Sequence, residues 1–144
     1  MTTIRCARTY DAAALAALAG ELGYPATRRE IVARLAAIEA RADACVLVAE
    51  DAEGRVVGWL HVAETAHLVD AAGAEILGLV VAAHARGSGI GAELVCAGEA
   101  WARRRGAERM TVRSRVERTR AHDFYARNGY ARRKTQVVFS KPLG

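Results

Sequence analysis

The stretch "AEILGLVVAAHARGSGIGAELV", residues 74–95, decides how this chain folds. Its first part is almost unbroken apolar sequence, the pattern of a strand buried on both faces. Its last part opens a helix, in which Ile90, Leu94, Ala97 and Trp101 recur at helical spacing until Gly106 stops it. Between the two stand Gly87, Gly89 and Gly91. Glycine within an element costs about 0.5–1 kcal/mol relative to alanine, through the backbone entropy it loses. Glycines clustered at a helix start therefore imply a sharp turn or a close approach to the backbone.

Working outward, "TTIRCART" (2–9) reads as a short strand and "YDAAALAALAGEL" (10–22) as a helix ending near Gly23 and Pro25. Thr27 caps a second helix, "RREIVARLAAIEARA" (28–42), with Glu30 as its capping-box partner and Ile31, Leu35 and Ile38 as its apolar stripe. "ACVLVAED" (44–51) and "RVVGWLHVAE" (55–64) are antiparallel strands joined by the turn "DAEG" (51–54). After the central stretch come a strand "RMTVRSR" (109–115), a short helix "RTRAHDFYARNG" (118–129) and a final strand "TQVVFSKPL" (135–143). Strand, glycine loop, helix and strand in that order form a right-handed crossover between parallel neighbours. The expectation is an α/β protein with a mixed central sheet and flanking helices, a single domain over residues 1–144.

Composition narrows the function classes. Hydrophobic residues at 52% and charged ones at 26% describe a globular chain, and a formal net charge of +5 favours anionic partners. Cys6, Cys45 and Cys96 are scattered and odd in number, which argues against a disulfide framework. His61, His67, His84 and His122 form no ligand motif, so no metal site is expected. "AAALAALAG" (12–20) follows Asp11 and is only weakly apolar, unlike the core of a secretory signal. No apolar run approaches the ~20 residues that cross a bilayer. The chain reads as cytoplasmic, with no membrane partner. The basic run "WARRRGAERMTVRSRVERTR" (101–120) suggests nucleic acid, but its one aromatic, Trp101, falls on the apolar stripe and its charges read as a solvated face.

The glycine loop itself admits three readings. A plain strand-to-helix turn needs fewer glycines. Gly87, Gly89 and Ala92 satisfy a dinucleotide fingerprint, with Glu108 near the acidic offset, but His84 and Arg86 separate the strand from the first glycine. The third reading is R-x-x-G-x-G, Arg86, Gly89 and Gly91, with backbone N–H groups and the helix dipole presented to a pyrophosphate. With "AHDFYARNGY" (121–130) further along, that loop resembles the GNAT superfamily of acetyl-coenzyme A-dependent N-acetyltransferases, and the element order agrees over essentially the whole length.

The resemblance implies acetyl transfer to a primary amine of a small molecule or peptide, by direct attack on the thioester. It implies that acetyl-CoA lies along Leu79, Val80 and Val81, on their backbone, and on Arg86, Gly87, Ser88, Gly89, Ile90 and Gly91. Tyr125 matches the tyrosine that protonates the departing thiolate. Glu75 matches a general base of some members and reads equally as a solvated strand-end charge, with His61 and His67 as competitors for the role. The acceptor pocket falls to the first two helices and "HVAETAHLVDAAG" (61–73). Departures are Ala83 where proline is common, Arg118 where asparagine is common, and Ser88 where a basic residue is common. Family members are commonly homodimers. The alternatives are a catalytically idle acyl-CoA-binding regulator and a basic nucleic-acid-binding module.

Overall fold

Every strand of the sheet follows its sequence neighbour, and only the last connection crosses over. The computed structural model describes residues 1–144. Its strands are β1 (Thr3–Cys6), β2 (Ala44–Glu50), β3 (Val56–Thr65), β4 (Gly73–Val81) and β5 (Met110–Val112), in the order β1-β2-β3-β4-β5. The first three pairings are antiparallel and β4–β5 is parallel. Helices α1 (Ala12–Leu22) and α2 (Arg28–Glu39) follow β1, while α3 (Ile90–Arg104) makes the crossover and α4 (Thr119–Arg127) follows β5. The chain divides into two compact units, Met1–Val112 and Arg113–Gly144.

In the first unit the local signals act where the sequence places them. Gly23 ends α1 at φ 102°, a left-handed conformation that favours glycine. Thr27 accepts from the Glu30 N–H at 3.1 Å, and the Glu30 carboxylate accepts from the Thr27 N–H at 2.9 Å, closing the capping box of α2. Buried Asp11 is gripped by Arg5 through two hydrogen bonds of 2.8 and 2.9 Å and by the Arg8 N–H at 2.7 Å. Burial alone raises the Asp11 carboxyl's pKa, but the Arg5 and Arg8 contacts outweigh it and the net shift is downward.

The sheet has two differently packed faces. Val48 packs with Leu15 of α1 and Leu35 of α2, and Trp59 lies against that cluster. On the opposite face α3 approaches so closely that a Cβ on Gly98 would stand 3.0 Å from Leu60 Cδ2. That contact revises the expected stripe of α3. Its buried residues are Ile90, Leu94, Val95, Gly98 and Ala102, whereas Ala97 and Trp101 are only half-buried. The missing side chain of Gly98 lets the helix come that close to the sheet. Half-buried Trp101 instead lies under the Arg105 guanidinium, 5.1 Å away, and Arg105 bonds Glu64 at 2.7 Å. Part of the basic run thus serves the fold.

In the second unit, α4 ends at Asn128 and Gly129, the latter at φ 90°. The expected final strand is not formed: residues 131–144 carry no regular structure. Val137, Val138, Phe139 and Leu143 are 76, 83, 90 and 96% exposed. The segment has strand-forming composition, but a strand exists only where a neighbour completes its ladder.

Candidate active site

β4 is where the regular sheet gives way. It pairs with β5 only through Ala74–Met110, Glu75–Thr111 and Ile76–Val112, so the ladder on that side stops at Ile76. On the other side the register slips: His61 pairs with Gly78 and Val62 with Ile76, leaving Leu77 as an extra residue in β4. Leu77 is 53% exposed in a strand whose first four residues are buried. The expected burial on both faces therefore holds only for the first half of β4.

The bulge has a consequence for the site. Residues three apart on a regular strand face opposite ways. The extra residue brings Glu75 (paired with Ala63) and Gly78 (paired with His61) to the same face, together with Val80, which pairs with Trp59. This is the face covered by α1 and α2. Glu75 is buried at 9% exposure. A Cβ built on Gly78 would lie 2.7 Å from Trp59 Cζ3, so the indole rests on bare backbone.

Beyond Val81 the chain turns into the glycine loop. A short 3-10 turn spans Ala83–Ala85, and the Ala83 N–H donates to Glu21 of α1 at 3.0 Å. Arg86 donates through Nε to the Val81 carbonyl at 3.1 Å, and Ser88 Oγ donates to the Ala85 carbonyl. Gly87 and Gly89 have φ of 81° and 87°, and a Cβ on either would meet nothing within 4 Å. These glycines are required by backbone conformation and leave open space beside the loop. Arg86, Gly87, Ser88 and Gly89 are exposed, and Ile90 is buried as the first residue of α3. Upstream, Leu79 and Val81 are half-buried and Val80 is buried, so their side chains pack while the β4 backbone loses its β5 partner.

A cavity of about 210 Å³ lies between α1, α2, β2 and β3, with Trp59 and His61 among the residues that line it. Burial, and then the Arg41 charge, hold the His61 imidazole below its ordinary pKa, so it is neutral at pH 7. His67 is exposed and lies outside the strands, which separates the two histidines that the sequence left in competition.

Within the second unit, Tyr125 on α4 makes edge-to-face contacts with Phe124 (5.2 Å between centroids) and Tyr130 (5.8 Å). Burial pushes the Tyr125 phenol above its ordinary pKa, against the opposing charge of Arg118, so it keeps its proton at neutral pH. No group of three or more His, Cys, Asp or Glu side chains is placed to hold a metal, and no helix is long and apolar enough to cross a membrane.

The profile of the Acetyltransferase (GNAT) family matches residues 12–130. This chain belongs to that family. GNAT enzymes use acetyl-CoA, and the chain is accordingly an acetyltransferase. It is 32% identical over 145 aligned positions to an aminoglycoside N(6')-acetyltransferase type 1 of Stenotrophomonas maltophilia, covering 98% of this chain and 94% of that one. It is 37% identical over 91 positions to an aminoalkylphosphonate N-acetyltransferase of Salmonella typhimurium, covering 62% of this chain and 58% of that one. In three dimensions it matches an aminoglycoside 6'-N-acetyltransferase from Acinetobacter baumannii with a TM-score of 0.88 at 19% identity, over all of both chains. That last likeness speaks for the GNAT fold. The sequence singled out the loop, Glu75 and Tyr125, but not Trp59, Gly78 or the Leu77 bulge, whose only signal is an isolated glycine inside a strand pattern.

Proposed function

We propose that residues 1–144 work as one domain transferring the acetyl group of acetyl-CoA to a primary amine. The observation that carries this reading is the open glycine loop at the start of α3, continuous with a β4 edge whose β5 ladder stops at Ile76. Exposed N–H groups and the positive end of the α3 dipole suit a pyrophosphate, and Arg86 adds a fixed charge. The backbone of Leu79, Val80 and Val81 supplies hydrogen-bonding groups to the pantetheine arm, and Gly87, Ser88, Gly89, Ile90 and Gly91 cradle the phosphates. Glu21 steadies the loop from α1 through the Ala83 N–H.

When bound, the thioester supplies an acyl carbon open to attack. The amine nitrogen bonds to that carbon, the carbon–sulfur bond breaks and the sulfur leaves with its electron pair. Glu75 takes the proton that the amine sheds; His61, neutral and on the same face, is the second candidate. Tyr125 gives its phenolic proton to the departing sulfur. The compartment proposed for this chemistry is the cytoplasm. A homodimer accounts for the exposed strand-like tail: β1 and β5 are the two edges of the sheet, and a second copy offers them to residues 135–143. Light scattering at twice the 15.4 kDa chain mass is the expected result.

Thermal denaturation with coenzyme A tests the site. At 100 times its Kd the ligand adds about 2.7 kcal/mol, and at this chain length about 2–4 °C of Tm accompanies each kcal/mol. NAD at the same concentration should shift Tm far less. Equal shifts with both ligands, or none with coenzyme A, would remove the cofactor assignment.

A further inference from the structure

The cavity against α1 and α2 has walls whose chemistry selects its occupant. Resting on the acetyl transfer proposed above, we propose that this cavity receives the acceptor, and that the acceptor is a small primary amine with an apolar body and not a polycation. The walls come from Tyr24, Ile31, Leu35, Ile38, Val46 and Trp59. No carboxylate lines the cavity, and its one permanently charged lining residue is a cation, Arg34. Arg34 is 61% exposed and meets Glu30 only at 3.4 Å, a surface pair of little strength.

Volume and charge point the same way. About 210 Å³ is somewhat more than the ~150 Å³ apolar cavity that accepts benzene, and below the ~300–1,000 Å³ of sites for drug-sized ligands. One aromatic ring or one branched alkyl chain fills it. An aminoglycoside carries several ammonium groups, and a buried ammonium needs a carboxylate or water beside it. The lining supplies no such anion, and Arg34 repels a cation at this surface. The location also fits transfer: Trp59 and His61 pair with Val80 and Gly78, so the cavity abuts the half of β4 whose β5 ladder has ended. In this respect the chain departs from the activity named for its Stenotrophomonas relative.

The test compares 2-phenylethylamine with kanamycin, each with acetyl-CoA, reading thiol release. We expect kcat/KM for phenylethylamine to be at least tenfold higher. A binding arm needs no turnover. The chain has two tryptophans, so in a Trp101→Phe background the emission of Trp59 reports on the cavity alone. Phenylethylamine should change that emission saturably and kanamycin should not. Ile38→Trp, which fills the space, should raise the KM for phenylethylamine while leaving coenzyme A affinity unchanged. Exposed Arg34→Glu should fold normally and narrow the gap in favour of kanamycin. A preference for kanamycin, or Trp59 emission unmoved by phenylethylamine, overturns the cavity assignment even if acetyl transfer stands. Saturable binding without turnover of any amine overturns the acceptor role together with the acetyl-transfer reading.

Discussion

Replacing Gly78 by alanine probes the point where sheet, cavity and proposed cofactor channel meet. The new Cβ would lie 2.7 Å from Trp59 Cζ3 and 3.0 Å from Cη2. Optimal carbon contacts are about 3.5–4.0 Å, so the indole must retreat by roughly 1 Å. Its ring is held against the cluster of Leu15, Leu35 and Val48, and the space open to it is the adjoining cavity. Overpacking of this kind costs about 1–3 kcal/mol, and an off-rotamer χ angle about 0.5–1.5 kcal/mol. Against this, alanine narrows the unfolded ensemble and returns about 0.4–1 kcal/mol. Gly78 has no positive φ, so no backbone penalty enters. The balance is a loss of about 1–2 kcal/mol, read as a lower urea midpoint at unchanged m-value. The emission of Trp59 should shift, and the KM for the amine should rise more than the Kd for coenzyme A. Unchanged stability with unchanged Trp59 emission would mean that the indole does not rest on Gly78.

Gly89→Val should weaken coenzyme A binding by at least tenfold while costing about 1–2 kcal/mol of stability, since a branched residue must adopt φ 87° beside the proposed phosphates; isothermal titration of the folded variant checks it. Tyr125→Phe should lower kcat and kcat/KM alike, by about 10²-fold or less, with coenzyme A affinity intact; steady-state kinetics with a parallel binding titration separate the two. Asp11→Asn should cost about 1–3 kcal/mol at pH 7, less than an isolated buried pair because Arg5 keeps Glu50 at 2.8 Å. The folded Asp11 pKa lies below the unfolded value of about 3.9, so its contribution is complete above that value and disappears as pH falls through the folded one. Urea titrations of parent and variant should therefore diverge at neutral pH and converge in acid.

Particular residues show which parts were legible in the sequence. The α2 capping box is a local pattern, and Thr27 and Glu30 meet as read. The β4–loop–α3 unit is also local: Gly87 and Gly89 take positive φ, which glycine alone adopts without the strain of a Cβ. On α3 periodicity placed Ile90 and Leu94 correctly but favoured Ala97 and Trp101 where the sheet buries Gly98 and Ala102. It also failed on residues 135–143, whose strand pattern says nothing about whether a partner strand is present. The Leu77 bulge is a property of the β3–β4 register and the cavity of four separated elements. Neither is written in any one segment. Glu75 and Tyr125 were reached by family resemblance; geometry then adds the face that Glu75 shares with His61 and the protonated state of Tyr125.

A GNAT acetyltransferase moves an acetyl group from acetyl-CoA onto an amine. Mass spectrometry of a small-amine panel incubated with acetyl-CoA, with and without the protein, measures that directly. A protein-dependent N-acetyl product is expected, formed in equal amount to the thiol released and depressed at neutral pH in Glu75→Gln. Thiol release without an acetylated amine, or no product across amino acids, arylalkylamines, polyamines, aminoglycosides and peptides, would contradict it.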